Sequence, residues 1–377
     1  MKAKSIKGKS TKAIQEALYQ NLSDGFKPTL AIVFISGSQD ITGISKILDN
    51  KNITVFGITT NGEFINEEIH KGSIATLLLD INKENFQIFL EEYPNKNYNE
   101  VAMKIAKKAK EKFNTPSFLI GTSNPSADGE EILRGFKNVI GKDVIAFGAS
   151  AGDNYSFTET FVFTNGKISN TGLICIVLNE DKVAIHGIAT CGWKAVGREK
   201  KVTKSEDNHV YTIDNIPALD ITVKYGGLEN ITPNNKDVLM ELAANFPLQR
   251  EKGDPVMRPP LVVDWADRSF YTSGTVPQDS KLPFYLPPDL DVMEKVINGV
   301  QHLKNTEMPK ADTLIVFSWA GRILAFSPMM KDELEGIKNV WNIPMVGMFS
   351  NAELGSATGG NLEMHNLTTC CVALKEK

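Results

Sequence analysis

At 377 residues the chain is longer than one ordinary hydrophobic core, so two domains are expected. Its 42% hydrophobic and 23% charged residues are those of a globular protein, and a formal net charge of -4 argues against nucleic acid as a partner. No apolar run approaches the roughly 18 residues that cross a bilayer, and the lysine-rich start lacks the apolar segment of a signal peptide. No membrane association and a cytoplasmic location are therefore expected.

In chain order, Lys2, Lys4, Lys7, Lys9 and Lys12 read as a frayed basic tail, followed by an amphipathic helix over Thr11 to Asn21 with Ser10 or Thr11 as N-cap. Apolar strands are expected at Leu30 to Ile35, Ile53 to Phe56 and Ile74 to Ile81. A helix over Glu100 to Phe113 precedes strands at Phe118 to Gly121, Val144 to Phe147 and Leu173 to Leu178, with a helix between the first two over Gly129 to Val139. From about Glu180 to Asp312 the pattern changes. His209 to Asp214 alternates as a strand, Ile216-Pro217-Ala218-Leu219 opens a helix, and the prolines between Asp254 and Pro288 mark short strands and turns. The chain closes with helices over Leu290 to Leu303 and Met329 to Lys338 and strands at Leu314 to Phe317, Ile343 to Val346 and Thr368 to Leu374. The domain boundary falls near Gly192 to Gly197, giving domains 1–194 and 195–377.

One pattern recurs in this order. Gly57-Ile58-Thr59-Thr60-Asn61-Gly62-Glu63 and Gly347-Met348-Phe349-Ser350-Asn351-Ala352-Glu353 each follow a short apolar strand, and Gly148-Ala149-Ser150-Ala151-Gly152-Asp153 is a weaker, shorter copy. Each copy sits in the same local order, β-α-β-loop-β, the mark of duplicated architecture. The expected fold class is α/β: layered mixed sheets with flanking helices, built from these repeats in two related halves. Polar loops at the ends of rigid strands are also where binding residues concentrate.

These motifs, together with Ser126 to Glu130, His186-Gly187, Val202-Thr203-Lys204 and Val316 to Arg322, resemble in order and spacing the FIST-domain family, with an N-terminal half followed by a C-terminal half. The resemblance implies a sensory role in prokaryotic signal transduction with small molecules such as amino acids as ligands. It also implies, through some relatives, an alternative as a haem-binding gas sensor. Similar proteins often carry Cys where this chain has Ser318. With no appended kinase, cyclase or chemoreceptor module, signalling through a separate protein is expected.

Among individual residues, Arg322 and Glu353 suit the carboxylate and ammonium groups of a free amino acid, or else an ion pair with each other. Glu63 and Asp153 are the matching acids of the other repeats, ligand contacts or turn caps. Asn61, Ser350 and Asn351 share their loops, and His365-Asn366 precedes the last strand as a hydrogen-bonding pair. No metal-ligand spacing is present among the five histidines, and no motif calls for a cofactor; His186 and His209 are the strand-borne candidates for haem ligation. The enzyme alternative is a hydrolase or transferase using Ser350 or Cys191 with His365, although no G-x-S-x-G elbow is present. The four cysteines lack CxxC spacing, and Cys175, Cys370 and Cys371 fall in strand-like runs as small hydrophobes. The glycines that open each motif serve close backbone approach or a positive φ.

Overall fold

In the computed structural model of the chain, the described residues are all but 125, 157, 194, 227–230, 235–247, 250–255, 286–289, 328 and 358–360. The apolar runs become strands buried on both faces, as in Leu30–Ser36, where every residue is buried.

The first unit runs β1 (Ala3–Gly8), α1 (Thr11–Leu22), β2 (Leu30–Ser36), α2 (Ile41–Asp49) and β3 (Thr54–Thr60). A hairpin of β4 (Glu63–Ile65) and β5 (Glu68–His70) follows, and β6 (Ile74–Leu79) closes the unit. β2 and β3 are parallel with α2 as crossover; β6 returns antiparallel to β2 and pairs on its other side with β1. The second unit repeats this order: β7 (Phe86–Glu92), α3 (Tyr98–Lys112), β8 (Pro116–Thr122), α4 (Gly129–Ile140) and β9 (Ala146–Ser150). Its hairpin is β10 (Val162–Thr164) and β11 (Lys167–Ser169), and β12 (Gly172–Asn179) closes it.

The third unit opens with β13 (Val183–Thr190) and is then interrupted by an insert. The insert holds β14 (Ala195–Glu206), β15 (His209–Ile213), β16 (Ile216–Pro217), α5 (Ala218–Gly226), β17 (Leu248–Gln249) and β18 (Met257–Arg258). It continues with β19 (Pro260–Asp264), β20 (Ser269–Thr272) and β21 (Lys281–Tyr285). Its main sheet, in the order β19-β20-β15-β14-β21, closes over its own small core around Val210, Ile213, Leu219 and Phe270. The unit resumes with α6 (Leu290–Thr306), β22 (Thr313–Trp319), α7 (Ala320–Phe326), α8 (Met330–Trp341) and β23 (Met345–Ser350). The hairpin β24 (Ala352–Ser356) and β25 (Leu362–His365) and the closing β26 (Thr369–Glu376) complete it.

The hairpins leave their own sheets. β4 pairs with β23 of the third unit, β24 with β9 of the second, and β10 with β3 of the first. The exchange is cyclic and yields three six-stranded sheets of identical plan: β1-β6-β2-β3-β10-β11, β7-β12-β8-β9-β24-β25 and β13-β26-β22-β23-β4-β5. The motif glycines make it sterically possible. Gly57 lies opposite Phe163 and Gly347 opposite Phe64, and a Cβ would fall 2.2 Å and 2.1 Å from those rings.

The three sheets enclose one shared core, where Phe34, Phe56, Phe147, Ile174, Phe317 and Val346 meet and the Phe34 and Phe317 rings lie 5.7 Å apart. Helices cover the outer faces: α1 and α2 the first sheet, α3 and α4 the second, α6 and α8 the third. The expected α/β class, with layered mixed sheets and flanking helices, is the architecture observed.

Some local expectations change. The lysine-rich start is an edge strand, anchored by the Met1 amino group against Asp312 (3.3 Å) and Glu376 (2.8 Å). Alternation of residues with β6 as partner outweighs its charge. Ile216-Pro217 pairs with β15 before α5 begins, so Pro217 precedes the helix instead of sitting in its first turn. Ser10 caps α1 by accepting from the Ala13 N–H at 3.2 Å. All four cysteines are buried, and no disulfide joins them.

Candidate functional site

The parallel pairs β2–β3, β8–β9 and β22–β23 point their carboxyl ends the same way relative to their units, so the three motif loops meet at one end of the core. They lock together there. Asn61 Nδ2 donates to Asn351 Oδ1 (2.8 Å), Asn351 Nδ2 to the Ala151 carbonyl (2.7 Å), and Asn61 Oδ1 accepts from the N–H groups of Asp153 and Tyr155, each at 3.1 Å. Backbone bonds repeat the ring: Asn61 N to Phe349 O, Asn351 N to Ser150 O, and Gly152 N to Thr59 O.

The motif acids serve their own units. Thr60 Oγ1 donates to Glu63 Oε1 (2.8 Å) and Ser73 Oγ to Glu63 Oε2 (2.8 Å). Correspondingly, Ser350 Oγ donates to Glu353 Oε1 (2.6 Å) and Thr368 Oγ1 to Glu353 Oε2 (2.7 Å). Each acid thus ties the start of a hairpin to the start of the closing strand. Asp153, on a longer loop, accepts instead from the Thr158 N–H at 2.6 Å. Burial pushes the Glu353 carboxyl up to about 8, against the opposing effects of its hydroxyl donors and the Arg322 charge; Glu63 is also raised by burial.

Arg322 is fully buried on α7. Its partner is not Glu353 but Glu333 on α8, which it meets through Nη2. Nη1 donates to the carbonyls of Cys191 (3.1 Å) and Leu367 (3.0 Å), and the guanidinium stacks over Trp193 and Phe326, 5.2 and 4.9 Å from their ring centroids. Asn366 Nδ2 and Trp319 Nε1 both donate to the Asn351 carbonyl, at 3.1 and 3.0 Å, which links the arginine cluster to the loop ring. His365 faces the Gly355 carbonyl through Nε2 at 3.0 Å, and burial lowers its imidazole to about 4.

Five buried polar atoms of this network have no hydrogen-bond partner among the described residues: Arg322 Nε, Trp193 Nε1, Asp153 Oδ1, Asn366 Oδ1 and His365 Nδ1. The structure therefore brings Asn61, Asn351, Asp153, Asn366, Ser350, Glu353 and Arg322 into one connected region. Glu63 lies beside it and His365 on the hairpin leading into it. The sequence reading missed Trp193 and Glu333. Trp193 sits at the edge of the insert, far along the chain from the motifs. Glu333 lies in the first turn of α8, where acids are ordinary and carry no signal of an arginine partner. Ser350 donates to Glu353 and His365 faces a backbone carbonyl, so these two are not in contact as nucleophile and base.

A second feature lies away from these loops, between β13 and the hairpin β24–β25. In the other two junctions the hairpin turns are two residues long and bind the neighbouring edge strand, through Glu68 to Lys7 and through Lys167 Nζ to the Leu90 carbonyl at 3.2 Å. The third hairpin has a longer connection, 357–361, and a cleft of about 860 Å3 opens there. Phe147, Ile185, Ile188, Leu303, His186 and His302 line it, with Lys142 and Glu307 among the charged residues there. His186 Nδ1 lies 3.1 Å from Glu307. The other haem candidate of the sequence, His209, lies in the insert.

The fold is that of an α/β protein built from three copies of one unit, with their motif loops gathered at one end. The model of the FIST N domain matches residues 29–216 and that of the FIST C domain residues 218–356, and the chain belongs to the FIST family, whose domains are sensory modules of signal transduction. The first match holds most of units one and two; the second holds most of the insert and the third unit as far as β24. No curated protein matches the chain at a significant level. Among the described residues, no helix is long and apolar enough to cross a membrane.

Proposed function

We propose that the chain senses a small zwitterion, an amino acid or a close relative, at the end of the core where the strand-end loops meet, and that it signals through a separate protein. The observation that carries this reading is the set of unspent polar atoms in the Arg322 network. An unpaired buried donor or acceptor costs about 1–3 kcal/mol, so a ligand that satisfies several gains that energy on binding. Arg322 Nε and Trp193 Nε1 are donors suited to a carboxylate, while Asp153 Oδ1 and Asn366 Oδ1 are acceptors suited to an ammonium group. The carboxyl ends of parallel strands are also where α/β sheets bind ligands. Glu333 and two carbonyls hold the guanidinium rigid, so little side-chain order is lost on binding. Binding selects the closed arrangement of the loops, and that population shift is the signal.

The test is a thermal-shift and calorimetric screen of amino acids beside their matching simple acids and amines. Trp193→Phe deletes one donor and keeps the ring. A midpoint rise for an amino acid that weakens in Trp193→Phe is expected. Equal affinity in both proteins, or no response from any amino acid, would overturn the reading.

A second reading rests on the cleft beside β13. A haem would be held there by His186 or His302 beside the apolar lining residues, with Glu307 on His186 Nδ1 leaving Nε2 for iron. When bound, the group would supply reversible capture of a diatomic gas. A Soret band on haem titration that is lost in the double variant His186→Ala/His302→Ala supports this reading; no band removes it.

A further inference from the structure

The insert carries a cluster of ligating side chains that the sensory region does not use. His209 begins β15, Asp264 ends β19, and Asp267 lies in the turn 265–268 that joins β19 to β20. One ligating atom from each of the three can be taken so that all lie within 4.8 Å of one another. Two carboxylates and an imidazole at that spacing are the donor set of a divalent first-row cation.

The imidazole is held as a ligand is held. It is buried, with 9% of its surface exposed, and lies between the rings of Tyr211 and Tyr271 at centroid distances of 3.9 and 4.0 Å. Its Nε2 bonds Ser269 Oγ at 2.6 Å, and Nδ1 has no hydrogen-bond partner among the described residues. A hydrogen bond on one ring nitrogen is what orients the other toward a metal, and Ser269 is placed either to give that support or to join the ligands itself. The carboxylates are fixed as well. Asp264 Oδ1 accepts from the Ala266 N–H (2.9 Å) and Asp267 Oδ1 from the Ser269 N–H (3.0 Å), which sets the position of each second oxygen.

We propose that His209, Asp264 and Asp267 form a binding site for a first-row divalent cation of the Zn2+ class, which fastens the β19–β20 turn to β15. The mixed nitrogen and oxygen donors disfavour Mg2+ and Ca2+, which take oxygen ligands. The same turn is tied to α5, through Arg268 Nε to Asp220 Oδ1 (2.5 Å) and the Leu219 N–H to the Arg268 carbonyl (2.9 Å). Cation loading therefore stiffens the junction of turn, strand and helix that forms one side of the insert. This site is independent of the ligand reading above, and either can fail without the other.

The experiment uses the full chain after chelation and dialysis. Zn2+ is titrated by calorimetry, and Co2+ by absorption and by quenching of Trp265, which lies between the two aspartates in sequence. One saturable equivalent is expected for each metal, with no competition from excess Mg2+, and its loss is expected in His209→Ala. Because a buried histidine can matter to folding, the deciding variant is Asp267→Asn, on the exposed turn. Asp267→Asn should abolish the saturable event while the metal-free protein still unfolds in a single cooperative transition. No saturable binding in the parent chain, or binding that persists in Asp267→Asn, overturns the proposal.

Discussion

Asn61 and Asn351, 290 positions apart, share a side-chain hydrogen bond of 2.8 Å at the meeting point of the three units. Asn61 also accepts the N–H groups of Asp153 and Tyr155, so one side chain satisfies groups from two other units. Asn61→Ala leaves several partners unpaired at once, and a loss of roughly 3 kcal/mol in unfolding free energy is expected. Urea unfolding measures it. A loss below about 0.5 kcal/mol would show the ring to be incidental to stability.

Glu353 and His365 act on stability with opposite signs, and Glu63, also raised by burial, acts in the same direction as Glu353. Glu353 sits at about 8 in the folded chain against an ordinary 4.5, so its contribution is full at pH 4.5 and below and is lost as the pH climbs through 8. His365 sits at about 4 against 6.5, so its contribution is present above 6.5 and lost as the pH falls through 4. Between 4.5 and 6.5 the slopes oppose. From 6.5 to 8 that of Glu353 stands alone of the two, a decline on the order of 1 kcal/mol per pH unit. Glu353→Gln should reduce it, leaving whatever share Glu63 carries, as urea midpoints at both ends of this window will show. A slope undiminished by the substitution assigns it to another group.

The buried pair of Arg322 and Glu333 is costly to break and cheap to replace. Glu333→Ala strands a guanidinium that is 0% exposed, and a loss of about 3–5 kcal/mol is expected. The double change Arg322→Met with Glu333→Leu should recover most of that loss while abolishing response to an amino acid. Thermal unfolding compares the set; a double variant as unstable as Glu333→Ala contradicts the argument.

Gly347→Ala tests the steric basis of hairpin exchange. The new methyl would lie 2.1 Å from the Phe64 ring and 2.4 Å from the Val316 carbonyl, and backbone cannot step aside as a side chain can. Destabilisation of about 1–3 kcal/mol is expected. Adding Phe64→Leu should relieve part of it, and a double-mutant cycle with no coupling would show that the two residues do not meet as described.

The repeats were legible because they are written in local pattern: an apolar strand, a glycine, a hydroxyl, an acid. The unit order followed from the same periodicity. The destination of each hairpin did not, since β4 and β10 are three residues long and their pairing is decided by whether Phe64 and Phe163 fit over a glycine of another unit. The loop residues were found for the same reason as the repeats. The choice of Glu333 by Arg322 was hidden because two acids were available, and only the packing of α7 against α8 selects between them. His209 was noticed as a lone strand histidine, but Asp264 and Asp267 become its neighbours only through the β15–β20 pairing.

Cyclic exchange of hairpins makes each unit both lender and borrower. A single unit cut from the chain would carry a hairpin with no sheet to join and a sheet with one edge bare. Two further copies of itself, arranged in a ring, would supply both. The molecule thus has the connectivity of a homotrimer written on one chain. In such a chain the copies are free to diverge one at a time, and the third has done so most, with its insert, its longer hairpin connection and its arginine cluster.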